Sequence, residues 1–142
     1  MQTKIRNIEK KDTENLNNLF IQLTGNKHTS FNFNLINKHK SSYFRVLENK
    51  NGEAIGFAAL IIYPVPSVGM VGRVEDVIVD KTYRGEGLGK KLLKDLIKIA
   101  KKEKLKSINL TSNPKRVAAR NLYKSLSFNI YKTGVFKLDL RN

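Results

Sequence analysis

Apolar residues recur along this chain in two periods, and the changes of period mark out its elements. "TKIRNI" at residues 3–8 alternates as a short strand does. In "KKDTENLNNLFIQLTG", Leu16, Leu19, Phe20 and Leu23 fall at i, i+3, i+4 and i+7. That is one face of a helix, with Asp12 or Thr13 as its cap and Gly25 as its stop. "SFNFNLINKHK" reads as a second, shorter helix. "SYFRVLENKNGEAIGFAALIIYPVP" gives two strands joined by a polar turn at Asn51-Gly52. After the stiff loop "PVPSVG", the run "MVGRVEDVIVD" is apolar on both faces, as strands inside a sheet are. A glycine-rich turn leads into a helix with Leu88, Leu92, Leu96 and Ala100 along one stripe. "KSINLTS" predicts another strand and "PKRVAARNLYKSL" another helix. "SFNIYKTGVFKLDL" predicts a closing hairpin that turns near Thr133-Gly134.

The predicted order, β-α-α-β-β-β-α-β-α-β-β, is a mixed α/β layer fold. With 142 residues and no repeat, linker or low-complexity tract, residues 1–142 read as one domain. Hydrophobic residues make up 40% and charged residues 27%, ordinary values for a soluble protein. No stretch approaches the roughly 18 to 20 apolar residues that a membrane span needs, and "MQTKIRNIEKKDTEN" lacks the apolar centre of a signal peptide. A cytoplasmic protein with no membrane partner is therefore expected. The absence of cysteine excludes disulfides, thiolate metal sites and a cysteine nucleophile. His28 and His39 stand outside any metal-ligand spacing, so no metal is expected. The net charge of +15 would attract polyanions, phosphorylated cofactors and acidic substrates. Lys, Asn and Ile abound throughout, however, which reads as a compositional bias, so the charge alone does not predict a nucleic-acid partner.

"DKTYRGEGLGKKLL" changes the picture. A buried strand ends near Asp80 and a helix begins near Gly87, where free backbone N–H groups point outward with partial positive charge. Gly85, Gly87 and Gly89 leave room for a ligand and tolerate positive φ. In a mere connector they would be an excess, since glycine in a helix costs roughly 1 kcal/mol against alanine. A pyrophosphate suits such a turn. A Walker loop would end in Gly-Lys-Ser/Thr, whereas Gly89 precedes Lys90, Lys91 and Leu92. A dinucleotide fingerprint would come near the start of a β-α-β unit rather than after four strands.

The spacing Arg84-x-x-Gly87-x-Gly89 resembles the signature of the GCN5-related N-acetyltransferase (GNAT) family, and the element order is similar over nearly the whole chain. The resemblance implies a GNAT-like fold, with a mostly antiparallel central sheet flanked by helices. It implies acetyl-CoA as co-substrate, its pyrophosphate held by the amides of Arg84, Gly85, Glu86, Gly87, Leu88, Gly89 and Lys90. The main chain of Val77, Ile78 and Val79 would pair with the pantetheine arm like a missing strand. "RVAARNLYKSLSF" resembles the family's late motif through Ala119, Leu122, Tyr123 and Phe128. Arg116 stands where that motif has Asn, and would meet a phosphate instead. Ser127 stands where it has Gly. On spacing alone Tyr123 is a core residue of its helix. The resemblance makes it the acid that protonates the departing CoA thiolate.

An ammonium acceptor must lose a proton before it attacks. Glu75 and Asp76 interrupt an apolar strand, and alternation would send them to opposite faces. The resemblance places the base on the face of Val77 and Val79, which selects Glu75; its alternative roles are substrate binding and an ion pair with Arg73. Asp76 then reads as a structural partner of a backbone group or a lysine. Without cysteine, direct attack by the amine in a ternary complex is the expected route. The acceptor is a small-molecule or peptide amine; the sequence also resembles glucosamine-6-phosphate N-acetyltransferases. A non-catalytic CoA- or nucleic-acid-binding module is the alternative outside enzymes. Residues 25–36 and 63–73 are the expected walls of the acceptor site. Oligomeric state stays open, a homodimer included.

Overall fold

The longest apolar run of the chain, Ala54–Val65, forms strand β3 at the centre of a five-stranded sheet. In this computed structural model, which describes residues 2–141, the order is β1-β2-β3-β4-β5. The strands are β1 (Lys4–Asn7), β2 (Tyr43–Glu48), β3, β4 (Gly69–Val79) and β5 (Ile108–Asn109). All neighbours are antiparallel except β4 and β5. The helices are α1 (Thr13–Thr24), α2 (Phe33–Asn37), α3 (Leu88–Lys102) and α4 (Val117–Ser125). The fold is thus mixed α/β, a mostly antiparallel sheet flanked by helices.

Contacts divide the chain between Thr111 and Ser112 into two units. In the first, the alternation of β3 sends Phe57, Ala59 and Ile61 to one face, where they pack with Leu16, Leu19 and Phe20 of α1. Gly56 lies on the other face, against Leu92 of α3. The predicted stripe of α3, Leu88, Leu92, Leu96 and Ala100, is buried together with Leu93. Gly25 ends α1 with φ 70°, its N–H donating to the Ile21 carbonyl.

Asp12 occupies the predicted cap position of α1, but its side chain does not cap that helix. At 2% exposure it accepts two bonds of 2.8 Å from the Arg6 guanidinium and one of 2.8 Å from the Glu9 N–H. Arg6 also donates to Glu48 at 2.6 Å, so this cluster ties β1, β2 and the start of α1 together. Burial pushes the Asp12 carboxyl up, and the bonds from Arg6 and Glu9 outweigh it, holding it below its usual range. Arg45 likewise joins β2 to α3 through a forked pair with Asp95, at 2.8 and 3.2 Å.

In the second unit α4 is followed by residues 128–141, which carry no strand. The expected closing hairpin is therefore not formed among the described residues. Apart from half-buried Phe128, its apolar side chains stay exposed, Phe136 at 99%. Alternation supplies a face for a strand, but a strand also needs a partner.

Candidate active site

Strand β4 ends at Val79, and Asp80 turns the chain. Its carboxylate accepts from the Thr82 N–H (2.9 Å) and hydroxyl (2.7 Å) and from Gln22 Nε2 (3.1 Å). Gln22 in turn accepts the Lys81 N–H at 3.0 Å, which pins the turn to α1. Gly85 and Gly87 follow with φ 86° and 75°. A Cβ at either would meet nothing within 4 Å, so packing does not demand glycine there. The left-handed backbone and the open space above it do.

Gly87 is the N-cap of α3 and offers no side-chain cap; its carbonyl accepts the Lys91 N–H at 3.1 Å. The amides of Leu88, Gly89 and Lys90 therefore have no acceptor within the helix. Arg84, Gly85, Glu86 and Gly87 are exposed, Leu88 is buried as the anchor of the first turn, and Gly89 and Lys90 are half-buried. Arg84 folds back, its Nε donating to the Val79 carbonyl at 2.9 Å. This end of α3 presents free N–H groups and the positive end of the helix dipole to solvent, the two features on which anion sites at helix N-termini are built.

Along β4 the sheet opens. Strand β5 pairs with it only at Gly72 and Arg73, while β3 follows it to Val79. The edge beyond Arg73 has no strand partner among the described residues. The Asp80 N–H donates to the Ile55 carbonyl of β3 at 2.8 Å. Main-chain groups alternate sides along a strand, so Ile78 faces β3, and Val77 and Val79 turn to the open edge. An extended ligand arm could pair there as an added strand.

The alternation expected for Glu75 and Asp76 fails. Ala59 pairs with Glu75 and Phe57 with Ile78, so two β4 residues, Asp76 and Val77, oppose Ala58 alone. Asp76 adopts φ 53°, a left-handed conformation rare outside glycine. Across this bulge Glu75 shares its face with Ile78 rather than with Val77 and Val79, and Asp76 is not sent to the opposite face. Asp76, an exposed residue, joins Phe20, Leu23 and Thr24 of α1 and residues 29–32, 35 and 36 in lining a cavity of about 270 Å³. Of the two expected walls, residues 25–36 contribute and residues 63–73 do not. Glu75 instead pairs with Arg73 Nε at 2.5 Å, the alternative role that the sequence allowed. Asp76 is exposed as a whole, and partial desolvation of its carboxyl, then the neighbouring charge of Glu75, pushes that group above its ordinary range.

Tyr123 lies in the second unit, buried on α4 with its ring 6.1 Å from that of Phe128. Ser127, at the position of the motif's glycine, has φ 71°, and the Phe128 N–H closes the helix on the Tyr123 carbonyl at 3.0 Å. A left-handed residue ends this helix, which is why glycine suits the position. Arg116 is the exposed N-cap of α4 and makes no side-chain cap bond. Among the described residues, no group of three or more His, Asp or Glu is arranged to hold a metal ion. No helix among them is long and apolar enough to cross a membrane.

The site thus sets an exposed glycine turn at a helix N-terminus beside an open strand edge. The profile of the Acetyltransferase (GNAT) family matches residues 4–128, and the chain belongs to that family. It is 37% identical over 91 residues to a glucosamine 6-phosphate N-acetyltransferase of Trypanosoma brucei brucei. That match covers 63% of this chain and 59% of the relative's length. The crystal structure of a Trypanosoma brucei acetyltransferase superposes with a TM-score of 0.82 at 28% identity, over 98% of this chain and all of that one. A predicted acetyltransferase of Clostridium acetobutylicum, solved with acetyl-CoA, shares the fold. Its TM-score is 0.76 at 20% identity, over 98% of this chain and 97% of that one.

Proposed function

We propose that this chain is an acetyl-CoA-dependent N-acetyltransferase that acts on a primary amine by direct attack in a ternary complex. The observation that carries the reading is the turn at residues 84–90, whose exposed left-handed glycines and unpaired amides follow the open edge of β4. The amides would hold the pyrophosphate, and the Val77 and Val79 main chain would pair with the pantetheine arm. One of the two β4 carboxylates takes a proton from the ammonium. The freed nitrogen attacks the thioester carbonyl, the C–N bond forms and the C–S bond breaks. Tyr123, assigned by its place in the α4 motif, protonates the thiolate and recovers its proton, through solvent, from the nitrogen.

Residues 1–142 acting as one catalytic domain, in the cytoplasm, belong to the same proposal. A second reading takes glucosamine 6-phosphate as acceptor, since that is the named substrate of the 37% identical relative. The test is thiol release from acetyl-CoA across amino sugars, amino acids, peptides and simple amines. Release with none of them, and no thermal stabilisation by acetyl-CoA, would refute the proposal.

A further inference from the structure

The cavity beside the β4 bulge is small, near the bottom of the roughly 300–1,000 Å³ range of ligand pockets. Its walls are mainly apolar, with Phe20, Leu23, Phe31 and Ile36 among them, and the polar groups are Thr, Ser and Asn side chains. No lysine or arginine lines it, although the chain carries 27 of them. Asp76 is its one charged residue. Glu75, the neighbouring carboxylate, pairs with Arg73, whereas among the described residues no ion pair reaches Asp76. A left-handed non-glycine residue costs about 1–3 kcal/mol and persists where its surroundings or its function require it. Here the bulge places Asp76 in the lining of the cavity, open to solvent and one residue from the Val77 main chain on the open edge.

We propose that this cavity is the acceptor site and that Asp76 receives the acceptor's ammonium, so that the substrate is a small primary amine on an apolar body and not a phosphorylated amino sugar. The inference rests on the acetyltransferase reading above. A phosphate would enter a cavity with no cation to pair it and with a carboxylate to repel it, which costs more than an apolar group would. The ammonium pairs with Asp76 and passes its proton to that carboxylate. The elevated proton affinity of the group favours the transfer.

The test compares 2-phenylethylamine with glucosamine 6-phosphate in thiol release, using the native chain, Asp76→Asn and Glu75→Gln. Asparagine tolerates the left-handed backbone as aspartate does, so the variant should fold, which its melting curve checks. The expected result is turnover of 2-phenylethylamine, with kcat/KM lowered about 10²-fold in Asp76→Asn and at least tenfold less affected in Glu75→Gln. The thermal shift given by acetyl-CoA should stay unchanged in Asp76→Asn, which separates loss of the carboxylate from loss of the fold. Turnover of glucosamine 6-phosphate in preference to the apolar amine would overturn this inference and leave the acetyltransferase reading standing. So would equal losses in the two variants. Absence of both turnover and acetyl-CoA binding would overturn both.

Discussion

Replacing Gly87 by valine tests the phosphate turn, because its effects on stability and on binding separate. Gly87 holds φ 75°, a conformation that costs a residue with a Cβ about 1–2 kcal/mol. An added Cβ meets nothing within 4 Å, so no clash adds to that cost. At about 3 °C per kcal/mol for a chain of this size, the melting temperature should fall by about 3–6 °C. Acetyl-CoA at 100 times its Kd adds about 2.7 kcal/mol to the native protein, a rise of about 8 °C. If the side chain weakens binding 100-fold, the same concentration adds only about 0.4 kcal/mol and the rise shrinks to about 1 °C. Gly87→Asn, with a residue that accepts the left-handed backbone, should lose less intrinsic stability and still lose most of the ligand shift. Melting curves with and without acetyl-CoA measure both quantities. A rise of about 8 °C in Gly87→Val would show that the turn only connects two elements.

Tyr123→Phe should keep acetyl-CoA affinity within a few-fold and lower kcat by about 10²-fold; a drop below about threefold, with chemistry shown to be rate-limiting, would make Tyr123 a core residue. Asp12→Asn should cost about 3 kcal/mol, the low end for breaking a buried pair, because Glu48 still holds Arg6. The Asp12 carboxyl is held below its usual range, so its contribution is complete above the ordinary aspartate value of about 4 and is lost as pH falls through the folded value. Chemical denaturation of the native chain and the variant should therefore converge in acid, and a constant difference down to about pH 2 would refute the assignment.

What the sequence made legible follows from the range of each interaction. The stripe Leu88, Leu92, Leu96 and Ala100 is buried because a helix imposes its period locally, whatever it packs on. The spacing Arg84-x-x-Gly87-x-Gly89 was readable because positive φ and close ligand approach restrict the residue type at each position. The bulge was not, because it arises where one residue of β3, Ala58, opposes two of β4. Nothing within "RVEDVIVD" encodes that pairing except two acids in an apolar strand. Asp12 shows a related limit. A cap needs only its own helix, whereas the bonds from Arg6 depend on β1 lying beside the start of α1. The same reason accounts for residues 128–141, whose alternation predicted strands that have no partner among the described residues.

Asp76 also sets function against stability, and the sign can be measured. Its carboxyl is pushed above the ordinary range by partial desolvation and then by Glu75, and because the residue is exposed, solvent screening keeps the cost small. The charges near it are those of Glu75 and, paired to Glu75, Arg73. A carboxyl with a raised folded pKa makes the ionised form a cost to the fold, present above the folded value and absent below the unfolded one. An asparagine in its place would carry no charge and would suit φ 53° at least as well. Asp76→Asn should therefore melt slightly higher than the native chain at about pH 7 to 8, and the gain should shrink as pH falls below about 4. A carboxylate that served as a structural partner would behave the other way, since its loss would leave a donor unpaired. A lower melting temperature for Asp76→Asn at neutral pH would return Asp76 to that structural role. A higher one, combined with lost turnover, would mean that the bulge holds a destabilising charge in the cavity because the reaction uses it.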